Sequence, residues 1–342
     1  MNVNRLLHTV SILLLSSLSY SALAGIINLG AASNYNAFIH QNFSSTGSDV
    51  EGRVAAGGNV SISNYSINIK NSQQLYTDTN VLPALVVGGD LNFTSGQIAG
   101  DVYVGGDYTP TGSGTITNGS LNNMAVAPVA PINFDTEFAF LNDLSANLGL
   151  LAANGVAKDL YSSNQYLKGA GENGLANDLH VFNLDASDML FNVYHLSAVD
   201  QGDTVLLNIA GTDITTSWGD FGGDSNSATS LRNMSDNVIF NFFEAETLNI
   251  KAALYGSILA PKADIKAPYG VIWGQVIANS WQGNTQINDN PLANQSNNAP
   301  ALVEPTVTVP EPSSFIILAL GLFVLLAFRR QYPPHQRSIL SY

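Results

Sequence analysis

Residues 88–107 read GGDLNFTSGQIAGDVYVGGD, and this stretch decides the fold because it contains one full repeat with both of its ends. Gly88-Gly89-Asp90 opens the repeat, and Gly105-Gly106-Asp107 opens the next one, 17 positions later. Between the two triplets, short runs of aliphatic and polar residues alternate, which indicates strands. A Gly-Gly-Asn triplet at residues 57–59 is another copy. We expect these triplets to form corners, because Gly, Asn and Asp tolerate left-handed backbone conformations.

A second repeated pattern reads Gly, polar or charged, aliphatic, any residue, then Ala or Val. Its four copies are Gly52–Ala56, Gly100–Val104, Gly256–Ala260 and Gly274–Ala278. The first two copies start 48 positions apart, which we interpret as three units of 16, and the last two start 18 positions apart. The intervals predict a mainly β chain wound into a β-helix, or solenoid, with inward aliphatic side chains stacked in ladders.

A glycine-poor stretch, residues 135–153, separates the two groups of repeats and has helical periodicity. Its apolar positions are Phe138, Leu141, Leu144, Leu148 and Leu151. We predict a helix capped by Asp135 or Thr136 and ended by Asn154-Gly155, inserted in the solenoid and lying along one wall. The two repeat blocks would then stack, or the second block would complete the first. Short strands are predicted at residues 180–184, 191–195, 204–210 and 238–243.

The N-terminal segment has the features of a secretion signal. Arg5 is followed by an apolar run from Val10 to Leu18 and by Ala22-Leu23-Ala24. Small residues at positions 22 and 24 suit a signal peptidase. We therefore predict a signal peptide over residues 1–24, cleaved after Ala24, and an exported mature chain.

The C-terminal end has the features of a membrane anchor. A Pro- and Asn-rich linker over residues 290–308 precedes Val309-Pro310-Glu311-Pro312. An uncharged apolar run follows, with a transmembrane helix predicted over residues 314–328, and then Arg329 and Arg330. These two arginines would hold the cytoplasmic end, with residues 331–342 as a cytoplasmic tail.

Residues 309–330 resemble the PEP-CTERM sorting signal of Gram-negative bacteria. The resemblance implies recognition by an exosortase through Pro310, Glu311 and Pro312, and a membrane-anchored precursor. It also implies a producer that makes exopolysaccharide or biofilm matrix, since such systems occur together. A plain tail anchor behind a proline linker is the alternative.

The charge of the mature region limits its partners. Residues 25–312 contain 8 Lys and Arg against 26 Asp and Glu, a net charge of −18. Such a chain repels nucleic acid and anionic lipid, so nucleic acid is not an expected partner, whereas polysaccharides and divalent cations remain open. The chain has no cysteine, which excludes disulfides and thiol chemistry.

The sequence offers no catalytic constellation and no expected cofactor. His40, His180 and His195 lack metal-ligand spacing, so no metal site is predicted. Calcium at the Gly-Gly-Asp corners is left open beside a structural role. Three carboxylate pairs could serve a glycosidase, but solvated turns are the favoured interpretation; the pairs are Asp185 with Asp188, Asp200 with Asp203, and Asp220 with Asp224.

Exposed tryptophans could stack on sugars. Of Trp218, Trp273 and Trp281, we expect Trp218 at the surface and Trp273 in the core, because Trp273 lies inside an aliphatic repeat. Ice binding would need threonines stacked at the coil period. The dense group Thr109, Thr111, Thr115 and Thr117 occurs only once.

The mature region also resembles the choice-of-anchor A family of bacterial surface proteins. The stretches that carry the resemblance are residues 34–39 (NYNAFI), 47–58 (GSDVEGRVAAGG), 254–261 (LYGSILAP) and 271–277 (VIWGQVI). The resemblance implies an adhesive β-solenoid over residues 25–289 with an ice-binding-like layout and no catalytic residues. We therefore predict an exported surface or biofilm-matrix adhesin that is not an enzyme. A polysaccharide lyase or hydrolase on a β-helix is the alternative.

Overall fold

The computed structural model describes residues 27–70, 82–123, 132–159, 164–169, 179–190, 193–222 and 230–293. The signal peptide, the linker beyond residue 293, the sorting signal and the tail lie outside these ranges. Among the described residues, no helix is long and apolar enough to cross a membrane. The predicted transmembrane helix at residues 314–328 lies outside the described ranges and stays a prediction.

The first repeat block contains thirteen short strands, β1 to β13, which are Ala37–Ile39, Phe43–Thr46, Asp49–Val50, Val54–Ala56, Val60–Ser63, Ser66–Ile67, Leu85–Val87, Leu91–Phe93, Gln97–Ala99, Val102–Val104, Tyr108–Pro110, Thr115–Thr117 and Leu121–Asn123. Helix α1 spans Phe134–Gly149. Strands β14 to β20 are Val156–Asp159, Asn164–Lys168, Leu179–Asp185, Val193–Ser197, Thr204–Ala210, Asp213–Thr215 and Gly219–Asp220. Strands β21 to β27 are Val238–Asn241, Thr247–Asn249, Ala252–Tyr255, Ser257–Ala267, Val271–Trp273, Val276–Gly283 and Gln286–Asn288. Three short 3₁₀ turns are Gly30–Asn34, Asp188–Leu190 and Ser235–Asn237.

The strands form a parallel β-solenoid with three faces, as the repeats predict. Face A runs in the order β16-β18-β21-β24-β26-β1-β4-β7-β10-β13. Face B runs β19-β22-β24-β26-β2-β5-β8-β11, because the long strands β24 and β26 bend from face A into face B. Face C runs β20-β23-β25-β27-β3-β6-β9-β12. A small separate sheet contains β14, β15 and β17.

The two repeat blocks stack directly, which confirms that prediction. The last coil, β26 and β27, pairs with the first coil, β1 to β3, on all three faces. One core residue pair stands on each face: Ala37 with Val276, Phe43 with Trp281, and Val50 with Ile287. The inward side chains form one continuous apolar core along the axis.

The coil lengths correct one interpretation of the repeat spacing. Val54 pairs with Leu85, 31 positions later, and Leu85 pairs with Val102, 17 positions later. The interval of 48 positions therefore holds two coils and not three units of 16. The first of the two is lengthened between β6 and β7.

The Gly-Gly corners are structural, but for a different reason than the one expected. A Cβ on Gly88 would lie 2.1 Å from the carbonyl oxygen of Gly57, and one on Gly105 would lie 2.3 Å from that of Gly88. The corner glycines do not have positive φ, whereas Gly100 and Gly256 of the second pattern do, at 129° and 150°. Glycine is needed at the corners because successive coils touch there through their backbones.

The polar residue after each Gly-Gly pair also joins successive coils. The side-chain oxygen of Asn59 accepts the backbone N–H of Asp90 at 2.8 Å, and that of Asp90 accepts the N–H of Asp107 at 2.8 Å. Asn42 occupies the same position one coil earlier and accepts the N–H of Asn59 at 2.8 Å. These oxygens satisfy backbone donors at the turns.

Helix α1 lies along face A, as predicted. Its Phe138 and Leu141 are buried against the outward row of that face, which includes Phe38 and Ile277. The predicted ends were wrong. Asn133 is the N-cap and accepts the N–H of Thr136, and the helix ends at Gly149.

The predicted strands are present with small shifts. The strand expected at residues 191–195 is Val193–Ser197, and the strand expected at 238–243 ends at Asn241. The prediction at 180–184 corresponds to Leu179–Asp185, and Thr204–Ala210 has the predicted bounds.

Candidate functional site

Face C of the second repeat block has four aromatic rings on its outer side. We call this surface the aromatic platform; it consists of Trp218, Tyr255, Tyr269 and Trp273. Trp218 precedes β20, Tyr269 lies in the corner before β25, and Tyr255 and Trp273 end β23 and β25. The rings come from three successive coils.

The rings form two pairs. Trp218 and Tyr269 have centroids 4.7 Å apart and are 60% and 54% exposed. Tyr255 and Trp273 are stacked with centroids 6.1 Å apart, and Trp273 is 37% exposed. The guanidinium carbon of Arg232 lies 4.2 Å from the ring centre of Tyr255, and its Nη1 donates to the hydroxyl oxygen of Tyr255. This cation–π contact holds the ring of Tyr255 in place.

The two pairs flank a smooth strip. In the register of these strands, Lys251 aligns with Trp218 and Tyr269. Tyr255 comes four positions after Lys251, and a strand rises about 3.3 Å per residue, so the two ring pairs are about 13 Å apart. Ala253 and Val271, one position before the paired Leu254 and Ile272, lie between them and are partly exposed. The platform is therefore a strip on the outer side of face C with a ring pair at each edge; three of its rings are exposed, and Tyr255 is buried.

The prediction that Trp273 belongs to the core was wrong. Strand β25 alternates, with Ile272 buried in the core and Trp273 exposed on the outer side. The buried tryptophan is Trp281, which is 1% exposed, packs 6.2 Å from Phe43 and donates from Nε1 to Ser45 Oγ. Trp218 is at the surface, as predicted.

Sequence reasoning missed Tyr269, Tyr255 and Arg232. Only the alignment of the coils could have indicated this site. Tyr269 follows Pro268 at one corner, and it aligns with Trp218 at the corner before β20 only when the coil lengths are known. The paired rings lie 51 positions apart in the sequence, so no local pattern joins them.

Two of the three histidines named above, His40 and His180, contact carboxylates of other elements. His40 Nε2 lies 3.0 Å from Asp135 Oδ1 of helix α1 and stacks on Phe138. His180 Nε2 lies 3.0 Å from Asp203 Oδ2 in the interior. His195 lies on β17 beside Tyr166 of β15. Within the described ranges, no three or more His, Cys, Asp or Glu side chains cluster as a metal would require. Calcium binding stays an untested prediction.

The described carboxylate pairs are engaged in turns. Asp185 Oδ1 accepts the N–H and the hydroxyl of Ser187, which holds the pKa of Asp185 below its usual value. Asp188 Oδ2 accepts the N–H of Asp185, and Asp203 Oδ2 accepts the N–H of Asp200. Asp224 lies outside the described residues. So do the signal-peptidase residues Ala22 and Ala24, the sorting residues Pro310, Glu311 and Pro312, and the anchor residues Arg329 and Arg330, which stay predictions.

Two family models match the chain. Residues 28–289 match one described as "Putative Ice-binding-like adhesive domain", and residues 308–331 match the PEP-CTERM protein-sorting motif. No curated protein matches.

Three solved structures are similar. One, an ice-binding protein from the Antarctic ascomycete Antarctomyces psychrotrophicus, has a TM-score of 0.37 and 14% identity, over 80% of this chain and 99% of that one. An ice-binding protein from an Antarctic biological consortium has a TM-score of 0.32 and 9% identity, over 78% and 90% of the chains. An ice-binding protein from an Antarctic Flavobacteriaceae bacterium has a TM-score of 0.31 and 12% identity, over 77% and 78%.

Proposed function

The chain belongs to the ice-binding-like adhesive domain family, and on that premise we propose that it is an adhesin that binds polysaccharide on its aromatic platform, without catalysis. Its PEP-CTERM motif makes it an exported cell-surface protein that is sorted by an exosortase. Our proposal includes a precursor held in the membrane of a Gram-negative producer through residues 314–328, and biofilm exopolysaccharide as the ligand.

The exposed rings of the platform carry this proposal. Exposed aromatic patches on a soluble surface mark binding sites more often than isolated apolar residues do. The electron-rich face of an aromatic ring attracts positively polarised groups, and the C–H groups on the face of a sugar ring are polarised in this way. Trp218 and Tyr269 offer such faces to solvent at one edge of the strip, and Trp273 does so at the other.

The shape of the platform favours a polymer over a small molecule. Small-molecule sites are concave and enclose most of their ligand. The strip between the ring pairs is the outer side of a β-sheet face, with the partly exposed Ala253 and Val271 as its floor. A polysaccharide chain can cross it at any point along its length, which suits adhesion to a matrix.

Binding without turnover is supported by the positions of the acidic groups. The carboxylates of Asp185, Asp188 and Asp203 accept hydrogen bonds within their own turns. None of the three lies on the strands of the platform; of the candidate carboxylates that the structure describes, Asp220 alone does, at the end of β20. A glycosidase needs two carboxyl groups facing one bond.

The test is binding of the full-length protein to insoluble cellulose and to soluble dextran, alginate and polygalacturonate. We expect the double substitution Trp218→Ala with Tyr269→Ala to weaken binding of the preferred polymer at least tenfold, as for a hot spot of about 1.4 kcal/mol or more. Leu150→Ala, at an exposed apolar residue after helix α1, is the matched control. Unchanged binding by the double variant would overturn the proposal, and new reducing ends would overturn its non-catalytic part.

A further inference from the structure

We propose that the aromatic platform takes an acidic polysaccharide, with sugar rings that carry carboxylates. The inference rests on the proposed function because it concerns the same surface. It comes from the lysines beside the first ring pair, which the stacking argument does not use.

The cations of the domain are concentrated in the second repeat block. Residues 25–312 have a net charge of −18, but residues 218–293, which hold all four platform rings, contain four Lys and Arg against seven Asp and Glu, a net charge of −3. These four are Arg232, Lys251, Lys262 and Lys266. Half of the eight cations of residues 25–312 are therefore in the block that builds the platform.

Lys251 stands at the register position between the two exposed rings. It precedes Ala252, which pairs with Gly219, the residue after Trp218. Leu254 pairs with Ile272 in the next coil. Lys251 and Tyr269 each lie three positions before these partners, so Lys251 also aligns with Tyr269. Lys251 is therefore the residue of the middle coil that aligns with both rings.

Lys266 is a second lysine near the same corner, at the end of the adjacent face B. It is exposed on the outer row of β24 and pairs with Asn249, two positions before Lys251. On its other side it pairs with Gln282, which is also exposed and uncharged. Two lysines therefore belong to the corner that carries Trp218 and Tyr269: Lys251 aligns with the pair, and Lys266 precedes Tyr269 by three positions. At the other edge, Arg232 is already engaged with Tyr255.

Both lysines are available to a ligand. The ion pairs within the described ranges are His40–Asp135, Lys70–Glu51 and His180–Asp203, and none of them includes Lys251 or Lys266. The acidic neighbour on the outer row of β24 is Asp264, and its Oδ1 accepts from Asn279 Nδ2 at 2.8 Å and from Ser280 Oγ at 2.7 Å. In a strongly acidic domain, two lysines that form no ion pair within the described ranges favour a ligand that brings its own carboxylates.

The chemistry of the ligand follows from this arrangement. A sugar ring that stacks on Trp218 or Tyr269 projects its substituents sideways, toward the lysines. Ammonium groups bind carboxylates through charge-assisted hydrogen bonds. A uronate polymer supplies a stacking face and a carboxylate in each residue, whereas a neutral glucan supplies only the face.

The experiment compares alginate and polygalacturonate with neutral dextran, using the full-length protein. We expect the uronate polymers to bind more tightly than dextran, with an affinity that falls as salt is raised. Lys251→Gln with Lys266→Gln should weaken alginate binding by about tenfold, since each exposed charge pair contributes up to about fivefold. Lys158→Gln with Lys168→Gln makes the same charge change on the small β14-β15-β17 sheet and is the control.

Three results would overturn the inference: dextran binding as tightly as alginate, a lysine variant that binds like its control, or alginate binding that survives Trp218→Ala with Tyr269→Ala. If a neutral polymer binds and the aromatic variant abolishes that binding, the proposed function stands and the acidic specificity falls. If no polysaccharide binds, the proposed function itself fails.

Discussion

Phe38 of the first coil pairs in parallel register with Ile277 of the last coil, although the two residues lie 239 positions apart. The beginning and the end of the domain therefore meet in the middle of the solenoid, and each repeat block presents its inner edge to the other. Helix α1 covers this junction, because Phe138 packs on Phe38 with ring centroids 5.4 Å apart. We expect the two blocks to unfold together, since neither edge is paired without the other.

Gln275 ties the junction together. It is fully buried, and its Nε2 donates to the carbonyl oxygen of Tyr35 at 2.9 Å and lies 3.3 Å from those of Ala32 and Ser33. Gln275→Ala should lower the free energy of unfolding by about 1–3 kcal/mol, the cost of leaving buried carbonyls unpaired. Urea unfolding followed by circular dichroism measures this. Gln282→Ala, at an exposed glutamine of β26, the strand that starts one residue after Gln275, should change little, and equal effects would contradict the prediction.

A ladder of asparagines holds the end of helix α1. Asn208 Nδ2 donates to the carbonyl oxygen of Leu148 at 2.8 Å, and its Oδ1 accepts from Asn241 Nδ2 at 2.8 Å. Asn241 also donates to the carbonyl oxygen of Ser145. The last carbonyls of a helix lack regular partners within it, and the bond from Asn208 adds to the one that the Leu151 N–H gives the carbonyl oxygen of Leu148 at 3.1 Å. Asn208→Ala should cost about 1–3 kcal/mol and speed hydrogen exchange in the helix more than elsewhere. Asn92→Ala on face B is the control, and equal protection of the helix in both variants would refute the role.

The corner glycines should tolerate no side chain. Gly88→Ala would place its Cβ 2.1 Å from the carbonyl oxygen of Gly57, so the coils must separate. We expect loss of folded protein or a fall in melting temperature far beyond that of Gly47→Ala. Gly47 has a φ of 71° but open space around it, so its substitution costs only about 1–2 kcal/mol in backbone strain. Similar melting temperatures for the two variants would show that contact between coils is unimportant.

The sorting signal offers a test on the cell. Pro310→Ala with Glu311→Ala should leave an unprocessed form in the membrane fraction, because the match to the sorting motif includes these residues. Immunoblots of membrane and released fractions report the outcome. Pro300→Ala with Glu304→Ala changes the same residue types in the linker and should be processed normally. Processing of the first variant like the wild type would exclude recognition through these residues.

The repeats predicted the solenoid because its physical requirements are local. Each coil needs alternating aliphatic residues and small corner residues, and residues 88–107 display both. The helix was also predictable, since its apolar face repeats within 16 residues. The cap was missed because Asn133 precedes the periodic stretch.

The platform could not be predicted, because it depends on register between distant coils. Trp218 and Tyr269 meet only if the corners of three coils align, and the spacing between paired strands changes even within the first block, from 31 positions for Val54 and Leu85 to 17 for Leu85 and Val102. Trp273 was misplaced for a related reason. A three-residue strand shows too little alternation to tell the inner side from the outer.

Buried charges near the junction should make stability depend on pH. Both carboxylate oxygens of Asp289 are buried, and neither accepts a hydrogen bond from the described residues. Burial raises its pKa, the nearby Arg53 lowers it, and Glu51 raises it again. Lys70 also lowers it and is bound to Glu51 at 2.7 Å. Because the pKa in the folded state lies above the unfolded value, the ionised form is disfavoured by folding, and stability falls as pH rises through that range.

Asp289→Asn tests this directly, since it keeps the shape and removes the charge. We expect the variant to be more stable than the wild type at pH 7 and the gap to close near pH 4, where the unfolded carboxyl becomes protonated, at a pKa of about 3.9. The pKa of Asp49 is also raised by burial, but both proteins contain it, so it cancels in the difference. Urea unfolding at the two pH values gives the comparison, with Asp143→Asn on the exposed side of helix α1 as the control. A variant that is less stable only at pH 7 would mean that the attraction of Asp289 to Arg53 outweighs its burial.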